Sequence, residues 1–318
     1  MGPTRWAVTA LAAVTVAATV VFSAAAPAAA AATNRTVYTF AHGDITTGVP
    51  VTPPGGSTGG RRGRIRGGTI VGRGESVSGA TFLVKLFNED GSTFFCMGSL
   101  VSRRHVLTAA SCGVKAGMKA RVGGLDLYKG WYLNIKAATP YPWYDPSSQI
   151  NDLAMLELEN PPALSDYAHS GVVPIEIAPN GYVPPRLRIS GWGANGSDGT
   201  GPAWGGGVRE LRSGFQPTNE PELCEALLGE FRALALDRQV CTNFESLEDT
   251  SMCYLDTGGA LWDRRWIAPE TYEYRIYGIA SYWAIPEGSP DRCPLAEPNV
   301  FTKIRPFVWW TSKFLSAA

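Results

Sequence analysis

From Thr69 to the C-terminus, short apolar or alternating runs recur between turns that are rich in Gly, Pro, Asn and Asp. Runs of this length and pattern predict β-strands. Examples are Phe82–Phe87, Phe94–Val101, Val106–Ala110, Trp131–Ala137, Leu153–Leu158, Val172–Ile177, Arg186–Ser190 and Tyr274–Trp283. No repeat of fixed period accompanies them. The pattern therefore predicts an all-β barrel or sandwich.

Only two stretches indicate helices. In the first, Thr218 or Asn219 is expected to cap a segment with Pro221 in its first turn. The second is expected to begin at Pro306, close to the end of the chain. The apolar residues on its predicted buried face are Phe307, Trp310 and Phe314.

Residues 1–32 have the organisation of an export signal. Arg5 supplies a positive charge, an uncharged apolar run follows, and the small residues after it offer cleavage points such as Ala28-Ala29-Ala30. A membrane anchor is the alternative, but the core from Ala7 to Phe22 is shorter than the roughly 20 residues that span a bilayer. We therefore expect a cleaved signal peptide and a secreted, extracellular protein without membrane attachment.

Residues 33–64 are poor in core-forming side chains and contain a Gly- and Pro-rich run followed by an Arg cluster. Such a segment cannot bury enough apolar area to order itself, so we expect a flexible linker. The alternative is a pro-segment that a protease cuts at the exposed Arg cluster. Ile65 or a nearby residue would then be the new N-terminus of a folded domain, residues 65–318.

Composition narrows the classes of function. Lys plus Arg and Asp plus Glu both number 28, so the net charge is zero and a nucleic-acid binder with a general basic field is not expected. Six Cys in an exported chain fit three disulfides, and sequence alone does not choose their pairing. No CxxC pair or His cluster suggests a metal site, and no cofactor is expected.

Seven segments between Cys96 and Ile304 occur in an order that is typical of one protein family. They are Cys96–Val101, Val106–Cys112, Asn151–Leu158, Gly191–Gly193, Cys253–Leu261, Ala280–Trp283 and Pro298–Ile304. Together they resemble the trypsin/chymotrypsin family of serine proteases over residues 65–318. The resemblance implies two six-stranded antiparallel β-barrels with a cleft between them and a C-terminal helix. It also implies the disulfides Cys96–Cys112, Cys224–Cys241 and Cys253–Cys293.

The resemblance places the catalytic triad on residues that depart from the family pattern. Asp152 stands at the position of the carboxylate that orients the imidazole. Ser111 stands in Leu107-Thr108-Ala109-Ala110-Ser111-Cys112, where the family has His before Cys. Thr257 stands at the position of the nucleophilic Ser. A Ser hydroxyl does not act as a general base near pH 7, so the resemblance implies a broken triad.

Other positions of the implied site also differ from the family. Leu255 replaces a Gly that, with Thr257, supplies a backbone N–H of the oxyanion hole, and its side chain is expected to disfavour the required peptide orientation. The resemblance places four residues in the primary specificity pocket, namely Ser251, Ser281, Trp283 and Asn299. Trp283 and Asn299 replace small Gly residues, so we expect a narrow or filled pocket in which Trp283 packs.

The resemblance also suggests an activation switch. In the family, the carboxylate at Asp256 pairs with the α-amino group that cleavage creates, and Ile65 is the first candidate for that N-terminus. The segment that begins at Ile70 is a second candidate. A turn-capping role for Asp256 in its Gly-rich loop is an equally weighted alternative.

The three His residues of the chain do not match the family's base position. His105 is expected in a strand, His169 in a solvated loop and His42 in the pro-segment. The leading hypothesis is a secreted, catalytically inactive protease homologue that binds a peptide or protein, for example a protease inhibitor. The alternative is an active serine-type endopeptidase with an atypical site, and a purely structural surface component is a weaker third hypothesis.

Overall fold

The computed structural model describes residues 38–41, 49–50, 69–71, 81–169, 174–178, 182–193, 209–243, 250–268, 271–289, 293–294 and 297–316. All of them belong to one compact unit, Thr36–Ala318. The predicted signal peptide and most of residues 33–64, including His42, lie outside the described residues, as does Ile65.

The described residues are mainly β-structure. In chain order the strands are β1 (Tyr38–Ala41), β2 (Val49–Pro50), β3 (Thr69–Ile70), β4 (Leu83–Phe87), β5 (Thr93–Leu100), β6 (His105–Thr108), β7 (Lys119–Val122), β8 (Trp131–Pro140), β9 (Ala154–Leu158), β10 (Glu176–Ile177), β11 (Arg186–Gly191), β12 (Arg212–Pro217), β13 (Gln239–Thr242), β14 (Ala260–Ala268), β15 (Thr271–Pro286) and β16 (Asn299–Lys303). The helices are α1 (Leu164–His169), α2 (Pro221–Leu228) and α3 (Val308–Leu315). Among the residues described, no helix is long and apolar enough to cross a bilayer.

Strands β4 to β9 form the first barrel. Its hydrogen-bonded order is β5-β4-β7-β8-β9-β6, and β6 pairs back with β5, so six antiparallel strands close on themselves. The short strand β2 lies outside this ring and adds to the edge of β5.

Strands β11 to β16 form a second six-stranded antiparallel sheet in the order β13-β16-β15-β14-β11-β12. Its end strands meet at the isolated bridge Thr218↔Thr242, so this sheet curls like a barrel that is not closed by a continuous ladder. The three short strands β1, β3 and β10 add to its edges. The chain ends in α3, and the predicted all-β fold with a C-terminal helix is confirmed.

Three disulfides reinforce the loops around the two sheets, and they are the pairs that the resemblance implies. Cys96–Cys112 joins β5 to the turn after β6, Cys224–Cys241 joins α2 to β13, and Cys253–Cys293 joins the loop before β14 to the segment between β15 and β16. By chain-entropy estimates each contributes about 3–4 kcal/mol to stability.

The helices correct the sequence analysis in three places, and the first is α1, which the sequence analysis did not predict. Helix α2 begins at Pro221 with Glu220 at its N-cap, because Thr218 is held in a bridge to β13 and the Asn219 N–H donates to the Cys241 carbonyl. The C-terminal α-helix begins after the predicted Pro306, which lies in a 3-10 turn. The predicted face is confirmed, since Phe307 and Trp310 are buried and the Trp310 ring packs on Phe314.

A buried lysine connects the first barrel to the second sheet. Lys85 in β4 is 0 % exposed. Its Nζ donates to the carbonyls of Gly123 (2.6 Å) and Lys129 (2.8 Å), with two further carbonyls of the same loop at 3.2 Å. The ammonium also lies 4.6 Å from the ring centroid of Trp192, which directly follows β11. Since the Trp192 Nε1–H donates to the Leu125 carbonyl, loop and ring hold each other in place.

We expect Lys85→Met to destabilise the fold by about 3 kcal/mol or more, because it leaves several buried carbonyls without a donor. Urea unfolding with the disulfides intact measures this loss. Lys115→Met is the control, since Lys115 is exposed and its replacement should change stability by less than about 0.5 kcal/mol. A loss below about 1 kcal/mol for Lys85→Met would contradict the structural role of the ammonium.

Candidate active site

A buried carboxylate lies between the first barrel and the second sheet. Asp152, just before β9, is 0 % exposed. Its Oδ1 accepts the Ser111 N–H at 2.7 Å, and its Oδ2 accepts the Ser111 hydroxyl at 2.8 Å. The hydroxyl of Ser281 in β15 donates to the same Oδ2 at 2.5 Å. Donors from both sheets therefore converge on one carboxylate.

The structure thus brings together two of the predicted triad positions, Asp152 and Ser111. Ser111 lies in the 3-10 turn Ala110–Cys112, which follows β6 and is fixed by the Cys96–Cys112 disulfide. Its hydroxyl is committed as a donor to Asp152. Since a Ser hydroxyl does not take up a proton near pH 7, this pair orients a donor but supplies no general base.

Thr257, at the predicted nucleophile position, lies in the turn before β14. It is 0 % exposed, and its carbonyl accepts the Met97 N–H from β5 at 2.9 Å. The next residue must be Gly, because Gly258 has φ +83° and a Cβ there would lie 2.2 Å from the Met97 carbonyl oxygen. The close contact with β5 therefore fixes the backbone of Thr257 and of the Gly258 that follows it.

Leu255 lies in a tight turn that the Asp256 N–H closes by donating to the Cys253 carbonyl at 3.1 Å. Its φ is 76°, which is the left-handed conformation that this turn position usually gives to Gly. A non-Gly residue pays roughly 1–2 kcal/mol for that conformation. The Leu255 side chain is 0 % exposed and packs in the main core, so burial offsets this cost.

Asp256 is 4 % exposed and also lies at this turn. Its two carboxyl oxygens accept the N–H groups of Gly193 (2.8 Å) and Cys253 (3.1 Å). Burial raises its pKa from an ordinary value of 3.8 to about 7, although both hydrogen bonds act in the opposite direction. Gly191 and Gly193 leave room for the Asp256 carboxyl because they have no side chain. A Cβ at either position would lie within 2.2 Å of a carboxyl atom.

The four residues predicted for the specificity pocket are all buried. The Ser251 hydroxyl donates to the Asn299 side-chain oxygen at 3.1 Å, and the Met252 N–H donates to the same oxygen at 3.2 Å. Trp283 is 1 % exposed and packs edge-to-face on Tyr254, with ring centroids 5.0 Å apart. The Ser281 hydroxyl donates instead to the Asp152 carboxylate. The sequence analysis missed this contact because no local sequence pattern indicates it.

The histidines in the described part of the chain bond elsewhere. His105 begins β6, where its Nδ1 lies 2.9 Å from the Ser102 hydroxyl oxygen and its ring contacts Phe314. His169 is exposed as predicted, but it ends helix α1 instead of lying in a loop, and its Nδ1 lies 2.6 Å from the Ser165 carbonyl oxygen. Within the described ranges, no group of three or more His, Cys, Asp or Glu residues is placed to hold a metal ion.

We expect the stability of the fold to depend on pH through Asp256. Its pKa is higher in the folded chain than in the unfolded chain, so its contribution to stability is fully present below about pH 4 and is lost as the pH rises through about 7. Urea unfolding between pH 4 and pH 8 should show this decline in the unmodified protein, and Asp256→Asn should remove it. Asp237→Asn, at a carboxyl whose side chain is 73 % exposed, is the control and should leave the decline in place. Parallel pH profiles for Asp256→Asn and the unmodified chain would contradict this assignment.

Comparison with known proteins agrees with this architecture. The sequence model of the Trypsin family matches residues 70–311, so the match begins at Ile70, the second candidate for the activated N-terminus. The chain is 32 % identical over 206 residues to Trypsin 5G1 of Aedes aegypti, which covers 63 % of this chain and 71 % of that protein.

Two further relatives are longer. Phenoloxidase-activating factor 3 of Holotrichia diomphalia is 29 % identical over 223 residues, which cover 62 % of this chain and 60 % of that protein. Serine protease 7 of Drosophila melanogaster is 28 % identical over 241 residues, which cover 68 % of this chain and 56 % of that protein. The chain therefore spans less than two thirds of either protein. Since the family match extends over most of the chain, this protein belongs to the trypsin family.

Proposed function

We propose that this chain is a secreted trypsin-family protein that does not hydrolyse peptide bonds and acts by binding a peptide or protein. One observation carries the proposal. At the position where the family has its general base, Ser111 donates its hydroxyl proton to Asp152 at 2.8 Å. The carboxylate that orients the base in the family is therefore present as Asp152. The group that it orients here is a hydroxyl, which donates a hydrogen bond but does not act as a base.

The replacement of the family's imidazole by Ser111 determines how large a loss of catalytic rate we expect. In a protease, removing the Ser or His of the triad lowers kcat by about 10⁶. At about 1.36 kcal/mol per tenfold change, this corresponds to roughly 8 kcal/mol of barrier. An oxyanion hole alone recovers only part of such a loss. The absence of a base at Ser111 therefore outweighs the hydroxyl that Thr257 retains.

The environment of Thr257 supports the same conclusion. A nucleophile must reach the carbonyl that it attacks, but Thr257 is 0 % exposed. Its β-branched side chain is also stiffer than that of Ser, because the added methyl group restricts χ1. Burial and branching both oppose attack by this hydroxyl.

The proposed partner is a protein or an extended peptide, including a protease inhibitor that binds the inactive homologue as a decoy. Ser251 stands where an Asp would select a basic side chain, and its hydroxyl donates to the Asn299 side-chain oxygen, while Trp283 is buried. Zero net charge opposes a nucleic-acid partner. Three disulfides and the export-signal pattern of residues 1–32 support an extracellular location.

The second candidate function is an active serine-type endopeptidase with an atypical site. Family membership and the retained hydroxyl of Thr257 favour it. His42 gives this alternative a specific test, because its chain neighbour Ala41 pairs with Trp283, two residues from the Ser281 that binds Asp152. His42 itself lies outside the described residues.

We expect the full chain to show no hydrolysis of a mixed peptide library and no labelling by a fluorophosphonate probe. Mass spectrometry of the products and of the probe-treated chain measures both. Thr257→Ala and His42→Ala are the matched variants, and both should be indistinguishable from the unmodified protein. Labelling of Thr257, or hydrolysis that either substitution abolishes, would establish the endopeptidase instead.

Restoring the family residues should restore only weak activity unless Leu255 is also replaced. Ser111→His with Thr257→Ser supplies a base and a nucleophile, but Leu255 keeps its left-handed backbone only through the packing of its buried side chain, and the backbone alone disfavours this conformation by about 1–2 kcal/mol. Adding Leu255→Gly should therefore raise kcat/KM about tenfold over the double variant. Thermal unfolding shows whether each variant is folded. Equal rates for folded double and triple variants would show that Leu255 does not limit the site.

A further inference from the structure

A cavity of about 320 Å³ lies where the start of α2 meets the second sheet. Its lining includes Pro221 and Cys224 of α2, Val240 of β13, Lys303 of β16 and Val183 in the segment before β11. Among the described lining residues, none was predicted for the triad, the oxyanion hole or the specificity pocket. Pockets for small molecules have volumes of about 300–1,000 Å³, so the size of this cavity suits a small molecule.

Covalent and hydrogen bonds hold the walls of this cavity. The Cys224–Cys241 disulfide joins α2 to β13. The Thr218 hydroxyl donates to the Pro184 carbonyl at 2.6 Å, and the Thr218 N–H donates to the Pro185 carbonyl at 2.9 Å. These hydrogen bonds tie the segment before α2 to the segment before β11. The cavity is therefore shaped by bonds within the chain and does not need a ligand to form it.

Lys303 is the one cation among the described residues that line the cavity. Its Nζ donates to the Leu236 carbonyl at 2.6 Å, which engages one of the three N–H donors of an ammonium. Asp237 attracts the charge of Lys303, but its carboxylate accepts a hydrogen bond from Arg238 at 3.2 Å. Burial lowers the pKa of Lys303 from an ordinary value of 10.5, because the ammonium loses part of its hydration. The half-buried ammonium therefore keeps donors that the described residues do not use, and an anion in the cavity can accept them.

The other lining residues limit the kind of anion that fits. Val183 and Val240 give the cavity apolar walls, which favour a ligand with an apolar body. Glu220, at the N-cap of α2, is the one carboxylate among the described lining residues, and it is exposed, so water screens its charge more than that of Lys303. With one lysine and one carboxylate, the lining has no excess of positive charge, which disfavours a dianion such as phosphate. A singly charged carboxylate on an apolar molecule meets both conditions.

We propose that this cavity is a binding site for small monocarboxylates with an apolar body, and that the Lys303 ammonium donates to the carboxylate of the ligand. A charge-assisted hydrogen bond of this kind is about twice as strong as one between neutral groups, so it selects the acid over a neutral analogue. The apolar walls add affinity by removing the body of the ligand from water. The site does not involve Asp152 or Thr257, so it is independent of whether the chain hydrolyses peptide bonds.

A matched pair of ligands tests the role of charge in the unmodified chain. Phenylpropionate carries the carboxylate, and phenylpropanamide has the same shape without the charge. NMR of a chain labelled with ¹³C at the lysine Cε positions should show a saturable shift of the Lys303 signal, with the acid bound about tenfold or more tightly than the amide. The acid should also raise the pKa of Lys303 by about one unit, because a nearby anion favours the ammonium. Equal affinity for acid and amide, an equal response to inorganic phosphate, or a Lys303 signal that does not respond would overturn the proposal.

Substitution of Lys303 separates this site from non-specific binding. Lys303→Met removes the ammonium, so the affinity for phenylpropionate, followed through the amide signals of Val183 and Val240, should fall about tenfold or more. Lys313→Met is the matched control, because Lys313 of α3 is exposed and lies over the Trp309 ring, and its affinity should stay within about twofold of the original. Thermal unfolding shows whether both variants are folded. A folded Lys303→Met chain that binds the acid as tightly as the unmodified chain would contradict the site, and if this variant does not fold, the ligand pair in the unmodified chain decides.

Discussion

The fully buried carboxylate of Asp152 accepts hydrogen bonds from both sheets and so links them. A buried carboxylate loses its hydration and must replace it with hydrogen-bond donors. Ser111 supplies two donors from the first barrel, and Ser281 supplies one from the second sheet. Removing such partners leaves an uncompensated buried charge, which costs several kcal/mol. Ser111 therefore meets the structural need of the carboxylate through its N–H and its hydroxyl, and this need is met without an imidazole at that position.

The turn beside this carboxylate contains two locally unfavourable features. Leu255 holds a left-handed backbone, and Asp256 buries a carboxyl whose pKa is raised to about 7. Such features persist where the surrounding structure determines the conformation from several sides. Here the Cys253–Cys293 disulfide ties the turn to the segment between β15 and β16, and the Gly193 N–H donates to the Asp256 carboxyl. The turn is therefore kept by its neighbours and not by its own conformational preferences.

The sequence predicts the architecture well because ordered motifs and alternating runs are local signals. The runs that became β5 and β15 were found with small errors at their ends. Strand β13, with the sequence QVCT, was missed because it is buried at every position and so shows no alternation. The carbonyl cage around Lys85 could not be predicted, since its partners lie about 40 positions away and carry no side-chain signal.

The pairing of β1 with β15 was beyond sequence analysis for a different reason. Tyr38 and Pro286 lie 248 positions apart in the sequence, and the composition around β1 predicts a solvated linker. Short strands of this kind form only where an existing edge supplies partners for their backbone. The edge of β15 supplies such partners at Trp283–Pro286, and it does so through its main chain. The pairing therefore depends on how the distant strands fold together and not on any side-chain pattern near β1, which is why composition alone gives the wrong expectation for this segment.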